Sequence, residues 1–223
     1  MSSDLHRYFL NNSHKRLHKL LHYFDIYERH FERFRNQPVV MLEIGVFGGG
    51  SLAMWKDYLG PQSKIIGLDI NPDCKKHEAE GIEVFIGSQD DPQVLAKILE
   101  KYPEIDFVID DGSHQMHHMV ASFEFLYSKV SQNGVYLVED TCCCYWEQFG
   151  GGLRQEQTFI EHAKRCIDAI QASANLVIGG NAKECIPPTE MMRTTHSISF
   201  YDSVVVFEKR PQSKRQDLIT LPM

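Results

Sequence analysis

The alternation of short apolar runs with helical segments constrains the fold of this chain most. Runs rich in Val, Ile, Leu and Phe each end at or beside a Gly, Asp or Glu: VVMLEIG, KIIGLD, IEVFIG, IDFVID and GVYLVED. Between them lie segments such as PQVLAKILEKY and MVASFEFLYSKV, whose apolar residues recur with the period of a helix. Strands that alternate with helices pair in parallel, so the sequence predicts an α/β fold with a doubly wound sheet.

The C-terminal part departs from this alternation. Two loops, CCCYWEQFGGG and NAKECIPPTEMM, are predicted on either side of a helix over residues 158–172. The run SISFYDSVVVFEK then contains two strand-like segments separated only by residues 201–203. This pattern predicts an antiparallel hairpin at the edge of the sheet.

The N-terminal part has a different pattern. Residues 17–34 carry apolar side chains at the spacing of one helical face: Leu17, Leu20, Leu21, Phe24, Tyr27, Phe31 and Phe34. We therefore expect a long amphipathic helix that Pro38 ends. The aromatic residues Tyr23, Phe31 and Phe34 are expected on its exposed side, which indicates a homo-oligomer.

Length and composition favour a single domain. A chain of 223 residues that is 43% hydrophobic can bury one sizeable core. We expect one domain over residues 1–223, with an N-terminal helical segment (1–37), a Rossmann-like core (38–210) and a tail (211–223). The formal net charge of −7, without a basic block, argues against nucleic acid as a partner.

The sequence also indicates a cellular compartment. The opening MSSDLHRYFLNNSHK is too polar for a signal peptide, and no apolar run reaches membrane-spanning length. We therefore expect a cytoplasmic protein without a membrane partner. The cysteines lack CxxC spacing, so we expect reduced thiols at Cys74, Cys142, Cys143, Cys144, Cys166 and Cys185.

A glycine-rich turn follows the first strand and indicates a ligand site. In GVFGGGS, residues such as Gly45, Gly48 and Ser51 bring backbone N–H groups and a helix N-terminus beside a polar or anionic ligand. No glycine stands two positions after Gly45, so the dinucleotide pattern GxGxxG is absent. This argues against a nicotinamide or flavin cofactor.

Acidic residues at the strand ends favour S-adenosylmethionine, which has both an amino group and a ribose diol. Glu43 lies at the end of the first strand and Asp69 at the end of the second, where its carboxylate can accept two ribose hydrogen bonds. Gln89, after the third strand, is placed for the adenine. The alternative for Glu43 is an acid that caps a neighbouring helix.

Two acidic pairs, IDDGSH and VED, end the fourth and fifth strands. The carboxyl ends of adjacent parallel strands meet at one sheet edge, where α/β sheets bind ligands. Side chains alternate along a strand, so each pair should split between the pocket and a helix or the cofactor, and we assign Asp110 to the cofactor. Oxygen ligands from Asp111, Glu139 and Asp140 would suit Mg²⁺. The alternative is a set of helix-capping acids.

Histidines follow the first acidic pair. His114 is three residues beyond Asp111, and a histidine there can take the proton of a substrate hydroxyl as a general base, with Asp111 also assigned to catalysis. His117 and His118 are expected on the flanks of a buried helical stripe. A transition-metal site formed by His114, His117 and Asp111 is the minor alternative.

The motifs together resemble a known family. HYFDIYERHFERFR, MLEIGVFGGGSLAMWKDYLG, IIGLDINP, IEVFIGSQDDP, IDDGSH, GVYLVEDTCCCYW and HSISFYDSVVVFEK are similar to bacterial S-adenosylmethionine-dependent methyltransferases. These include macrolide-sugar and rhamnosyl O-methyltransferases and cephalosporin hydroxylase-like proteins. The similarity extends over about residues 13–209 and is specific because so many motifs coincide.

The resemblance implies a fold, an activity and roles for residues. It implies a seven-stranded sheet in the order 3-2-1-4-5-7-6 and methylation of a hydroxyl on a sugar or a glycosylated natural product. It further implies that Asp111, Glu139 and Asp140 hold Mg²⁺ and that His114 is the general base. The chain departs from its relatives at Thr141 and the three cysteines after it, where relatives often carry polar or histidine residues, so the acceptor stays open.

Other functions remain as alternatives. A metal-dependent hydroxylase would need two histidines and one carboxylate at the metal, with His196 as the candidate second histidine. A non-catalytic S-adenosylmethionine-binding protein should have lost the base or the metal acids, all of which are present. The aromatic residues Tyr23, Tyr27, Tyr145 and Trp146 either cover the cofactor or a sugar, with Tyr23 assigned to the cofactor, or pack against the domain.

Overall fold

The computed structural model describes residues 3–172 and 189–211. Its strands are β1 (Val40–Ile44), β2 (Lys64–Asp69), β3 (Ile82–Ile86), β4 (Ile105–Asp110), β5 (Val130–Val138), β6 (Thr195–Tyr201) and β7 (Val204–Lys209). Its α-helices are α1 (Asp4–Asn11), α2 (Tyr23–Phe31), α3 (Gly50–Leu59), α4 (Pro92–Lys101), α5 (Met116–Leu126), α6 (Phe159–Gln171) and α7 (Glu190–Thr194).

The strands form one sheet in the order β3-β2-β1-β4-β5-β7-β6. Strands β1 to β5 pair in parallel, whereas β7 runs antiparallel to both β5 and β6. The predicted fold and the terminal hairpin are confirmed. Because the parallel strands share a direction, the ends of β1, β2, β4 and β5 lie at the same edge, which places their acidic residues together.

Alternating side chains of the strands build a core on each face of the sheet. In β4, Phe107 and Ile109 pack with Tyr27 and Trp55 on one face. Val108, on the other face, belongs to a second core that includes residues of α4, α5 and α6. The predicted helix over residues 158–172 is present as α6, with Thr158 as its N-cap. Most of the predicted loop NAKECIPPTEMM and of the tail lies outside the described residues.

The prediction of one helix over residues 17–34 is wrong. Helix α2 begins only at Tyr23 and continues as a 3-10 turn (Glu32–Phe34), while α1 precedes it. Residues 12–22 between the two helices, called here the N-terminal strap, are not helical. Leu20 and Leu21 are 40% and 60% exposed, so they do not form the apolar face that their spacing indicated.

The expectation that Tyr23, Phe31 and Phe34 are exposed, which indicated an oligomer, is also wrong. Tyr23, Phe31 and Phe34 are 1%, 0% and 7% exposed, because they pack onto the sheet rather than face solvent. The ring of Phe31 stacks on Phe107 at a centroid distance of 4.5 Å and meets Trp55 edge-on at 5.4 Å. These contacts give the aromatic residues an intramolecular role.

Glu208 ties the N-terminal helices to β7. Its Oε1 atom lies 3.4 Å from Nδ1 of His30 and 3.2 Å from Nη1 of Arg33, while Ser197 donates a hydrogen bond to Oε2. The contact with His30, followed by the charges of Arg33 and Arg210, holds the pKa of Glu208 at about 2 although burial opposes the shift.

None of the helices in the described residues is long and apolar enough to cross a membrane.

We expect Glu208→Gln to lower the free energy of unfolding at pH 6 by about 1–2 kcal/mol, a figure reduced for solvent screening. A depressed carboxyl pKa stabilises the fold above the unfolded value near 4.5, and this stabilisation is lost as pH falls toward about 2. Urea denaturation at pH 6 and pH 2.5 should therefore show a smaller difference between wild type and variant in acid. The low pKa assigned to Glu208 is contradicted if the difference in unfolding free energy between wild type and Glu208→Gln does not change with pH. It is also contradicted if the exposed control Glu156→Gln shows an equal difference.

Candidate functional site

The shared edge of the parallel strands opens into a cavity of about 560 Å³, called here the main cavity. Its walls include the glycine turn after β1, Asp69, the acids after β4 and β5, and the N-terminal strap. A smaller cavity of about 150 Å³ lies beside it and is lined by residues that include Gln89 and His118. Both are lined by Gly45, Asp69 and Gly112, so they adjoin.

The glycine turn closes tightly over the end of β4. Gly45 has φ +95°, and a Cβ atom there would collide with the backbone carbonyl of Asp111. Gly49 also has a positive φ and precedes the first residue of α3. This turn therefore requires glycine at Gly45 both for conformation and for space.

The carboxylate of Asp69 is fixed by backbone donors. Its Oδ2 atom accepts hydrogen bonds from the N–H groups of Val46 (2.8 Å) and Phe47 (3.1 Å), and Oδ1 accepts one from Asn71 (2.8 Å). Burial raises the pKa of Asp69, but these hydrogen bonds outweigh burial and hold the pKa below its ordinary value. An oriented anion thus lines both cavities, as the sequence predicted.

Asp110 faces away from the cavities. It is 1% exposed, and Nε2 of Gln89 donates to its two carboxylate oxygens at 3.0 and 3.2 Å, while Ser122 donates at 2.7 Å. Burial raises the pKa of Asp110 to about 6, although these hydrogen bonds lower it. Among the described residues, those lining the two cavities include Gln89 but not Asp110. Asp110 therefore orients Gln89. This arrangement argues against the predicted direct contact between Asp110 and the cofactor.

A buried lysine lies among the other strand-end acids. Nζ of Lys19, in the N-terminal strap, donates to Oδ2 of Asp111 (2.6 Å) and Oε2 of Glu139 (2.8 Å), and lies 3.7 Å from Oε1 of Glu43. Its side chain is 2% exposed. Burial lowers the pKa of Lys19, but the surrounding carboxylates outweigh burial and raise it well above its ordinary value. Lys19 is therefore a buried ammonium ion.

Sequence reasoning missed Lys19. On the predicted helix it would occupy a solvated position, and helical periodicity contains no signal for a long-range ion pair. The only available hint is charge: several acids that converge on one sheet edge need a neutralising partner.

Two tyrosines of α2 hold the acids after β5. The hydroxyl of Tyr27 donates to Oε1 of Glu139 at 2.7 Å, and that of Tyr23 donates to Oδ1 of Asp140 at 2.6 Å. Burial and the charge of Asp111 raise the pKa of Glu139 above its ordinary value, although Lys19 and Tyr27 act in the opposite direction. Tyr23 was predicted at the cofactor; it lines the main cavity, but its hydroxyl orients Asp140.

The remaining donor atoms of Asp111, His114 and Asp140 face one another. Nε2 of His114 lies 3.9 Å from Oδ1 of Asp111 and 3.6 Å from Oδ2 of Asp140, and one ligand atom from each residue lies within 4.8 Å of the others. His114 and Asp140 both have positive φ angles, which aim their side chains from tight turns. Of the predicted metal ligands, Asp111 and Asp140 are thus grouped with His114, whereas both oxygens of Glu139 are hydrogen-bonded elsewhere.

His117 and His118 form a separate group with Asp90. Nε2 of His118 lies 3.3 Å from Oδ2 of Asp90, and its Nδ1 pairs with Oγ of Ser113 at 2.7 Å. The structure therefore does not assemble the alternative set of His114, His117 and Asp111. His196, the candidate second histidine of a hydroxylase, lies exposed on the edge strand β6.

The cysteine run contributes to the main cavity. Cys142 and Cys143 line it together with Trp146, which is 49% exposed. The cysteines among the described residues are free thiols, as predicted. Burial first, and then the neighbouring thiol of Cys142, raises the pKa of Cys143 to about 12, so this side chain is neutral near pH 7 and a poor ligand for a hard cation.

Comparisons with known proteins identify the family. The family model described as rhamnosyl O-methyltransferase/CmcI matches residues 24–148, and the chain belongs to this family. Mycinamicin VI 2''-O-methyltransferase of Micromonospora griseorubida is 42% identical over 163 residues, which cover 68% of this chain and 40% of that protein. The 8-demethyl-8-alpha-L-rhamnosyl tetracenomycin-C 2'-O-methyltransferase of Streptomyces olivaceus is 34% identical over 195 residues, covering 84% of this chain and 50% of that protein.

Solved structures support the same relationship. The MycE methyltransferase from the mycinamycin biosynthetic pathway, solved in complex with Mg, SAH and mycinamycin VI, aligns with a TM-score of 0.78 and 34% identity. The alignment covers 92% of this chain and 52% of that chain. The chain thus spans about half the length of these relatives or less. The predicted family and fold are confirmed.

Glu43 has the charge environment of a group that titrates near neutrality. It is fully buried, its Oε1 accepts a hydrogen bond from Oγ of Ser51, and its Oε2 has no hydrogen-bond partner among the described residues. Burial raises the pKa of Glu43 to about 7, although Lys19 and Ser51 lower it. The contact with Ser51 runs through the side chain, so Glu43 does not cap the backbone of α3.

We expect Glu43→Gln to flatten part of the dependence of stability on pH. A raised carboxyl pKa means that the folded state binds the proton more tightly, so this group's contribution falls as pH rises from about 4.5 to about 7. Relative to wild type, the variant should therefore gain roughly 2–3 kcal/mol of unfolding free energy between pH 4.5 and 7.5. Denaturation curves across this range measure the change, with the exposed Glu100→Gln as control. Parallel curves for wild type and Glu43→Gln would rule out the assigned titration.

Proposed function

We propose that this chain is an S-adenosylmethionine-dependent O-methyltransferase, assisted by a divalent cation, that acts on a sugar hydroxyl of a glycosylated natural product. The observation that carries the proposal is that one cavity contains both Asp69 and the group Asp111, His114 and Asp140. A cofactor ribose and a reacting hydroxyl can therefore occupy the same space. The names of the relatives support the reaction class.

The cofactor's requirements fit the residues of the two cavities. The fixed anion of Asp69 suits a ribose hydroxyl donor, because Oδ1 accepts one backbone hydrogen bond and retains a lone pair, whereas Oδ2 already accepts two. Gln89, which Asp110 holds in place, lines the smaller cavity where an adenine would lie. Ser51 lines the main cavity beside the glycine turn, where the other end of the cofactor would lie, and it donates to Oε1 of Glu43, which itself lines neither cavity.

The cation's requirements are met by hard oxygen donors. Asp111 and Asp140 each have one oxygen hydrogen-bonded to the N-terminal region and the other directed toward His114. Such carboxylates suit Mg²⁺, and Glu139 adjoins them as the third acid of the predicted set. When bound, a divalent cation would lower the pKa of an acceptor hydroxyl and help to orient it.

The protein's own groups then account for proton transfer. Nε2 of His114 is directed into the cavity beside two carboxylates, which stabilise the positive charge that it gains on accepting the hydroxyl proton. The cofactor, when bound, would supply the methyl group and leave as a neutral thioether, so that the acceptor oxygen exchanges the proton taken by His114 for the methyl carbon. His114 supplies the base and the cavity supplies the alignment.

The cavity wall also supports an acceptor with a carbohydrate face. Trp146 is half-exposed and lines the main cavity with Cys142. An aromatic ring can pack on the apolar face of a sugar, while the neutral thiol of Cys143 supplies an uncharged surface. These contacts favour a sugar hydroxyl over a charged acceptor.

Calorimetry with S-adenosylhomocysteine tests the cofactor assignment. We expect Asp69→Asn to raise the dissociation constant roughly 10- to 100-fold, because it removes the charge from the ribose hydrogen bonds while keeping an oxygen for the glycine turn. Asp73→Asn, which alters an exposed acid on the neighbouring turn, should leave binding unchanged. If Asp69→Asn binds as tightly as wild type, the adenosine lies elsewhere.

Kinetics on paired variants separate the base from the cation ligands. Asp111→Asn or chelation should abolish turnover while S-adenosylhomocysteine still binds. His114→Ala should bind both cation and cofactor but lose roughly 10²–10⁴-fold in kcat, with partial recovery at high pH. The exposed His196→Ala serves as control and should be fully active. Full activity in the presence of a chelator would show that turnover needs no cation. Loss of cation binding in His114→Ala would make His114 a cation ligand rather than the base.

A further inference from the structure

The position of Lys19 has a consequence for the cation site. Its ammonium group holds one oxygen of Asp111 and one of Glu139, at 2.6 and 2.8 Å, and these acids belong to the predicted cation ligands. A Mg²⁺ ion on the same oxygens would need contacts of about 2.0–2.1 Å. The ammonium and the ion cannot both use those lone pairs, and their positive charges repel.

The lysine is placed there by the fold of the strap. Gly50 donates its backbone N–H to the carbonyl of Arg16 at 3.2 Å, and Arg16 also bridges Gly49. The guanidinium of Arg16 lies 4.5 Å from the ring centroid of Phe47. The strap is thus attached to the glycine turn three residues before Lys19, so the ammonium is a fixed part of the site.

The pattern of free oxygens follows from this arrangement. Lys19 and Tyr27 use both oxygens of Glu139, and Lys19 uses Oδ2 of Asp111. Oδ1 of Asp111 and Oδ2 of Asp140, beside His114, are the carboxylate atoms directed at a common point. While Lys19 is in place, an incoming cation is therefore offered two acids rather than three.

We propose that Lys19 is a built-in cation of this site, which offsets part of the negative charge of Asp111 and Glu139 in the free protein and competes with a divalent ion for their oxygens. The inference rests on the proposed cation site. Lys19 would thereby weaken cation binding, but it would also stabilise the folded site when no cation is bound. Coordination of the cation by Oδ2 of Asp111 or Oε2 of Glu139 would then require displacement of the lysine side chain.

Binding of Mn²⁺ to the full chain, followed by calorimetry at fixed pH, tests the competition. We expect Lys19→Met to bind Mn²⁺ at least ~10-fold more tightly than wild type, because a positive charge in contact with two ligands is removed. Lys19→Arg keeps the charge and should bind with wild-type affinity or more weakly. Equal or weaker binding by Lys19→Met would overturn the proposal and make Lys19 a residue that positions the carboxylates for the cation.

Thermal melting without divalent ions gives a second readout. Lys19→Met should melt below wild type, since two acids lose their counter-ion, and Mn²⁺ should raise its melting temperature more than that of wild type. If Lys19→Met does not fold, Lys19→Gln, which retains a donor, is measured in its place. An equal shift on adding Mn²⁺ to wild type and variant would contradict competition.

The same experiments distinguish this inference from the proposed function. If Asp111→Asn binds Mn²⁺ as wild type does, the cation lies elsewhere and the proposed cation site fails together with the competition. If Asp111→Asn loses binding but Lys19→Met binds no better than wild type, the cation site stands and the role given to Lys19 is wrong. Detectable binding only in Lys19→Met supports the competition directly.

Discussion

The buried carboxylates at the carboxyl edge of the sheet are the constraint on which the rest of the site depends. Glu43 and Glu139 are at most 1% exposed, and removing such a group from water costs several kcal/mol unless partners replace the lost hydration. Lys19 and Tyr27 supply those partners to Glu139, and Ser51 and Lys19 supply them to Glu43. The path of the N-terminal region over the sheet is therefore set by charge compensation together with aromatic packing.

Asp110 and Asp111, at the end of β4, have different hydrogen-bond partners. Asp110 accepts hydrogen bonds from the neutral donors Gln89 and Ser122 and is closed off from solvent. Asp111 instead faces an ammonium group on one side and an open cavity on the other. Adjacent residues of one strand thus serve as a structural support and as a site acid, because the strand directs them to opposite faces.

Local patterns predicted most of the fold, and long-range polar contacts account for what they missed. The strands and the hairpin carry their signal in consecutive residues, and the rule that ligands bind at strand ends placed Asp69, Asp111 and His114 at one edge. Spacing over residues 17–34 predicted a helix, but the strap is held by contacts to Gly49 and Asp111 that no local pattern contains. Alternation predicted that Asp110 and Asp111 separate, yet it could not show that Gln89 covers Asp110.

The contact between Lys19 and Glu139 joins residues 120 positions apart in the sequence, and that between Tyr23 and Asp140 joins residues 117 apart. During synthesis the strap leaves the ribosome before β5, which follows it in the sequence. Such distant pairings form slowly, because a long loop must close before any contact is gained. The strap, which forms part of the cavity wall, is thus made before the strands that it joins and must wait for the sheet, which makes assembly of the site a late event in folding.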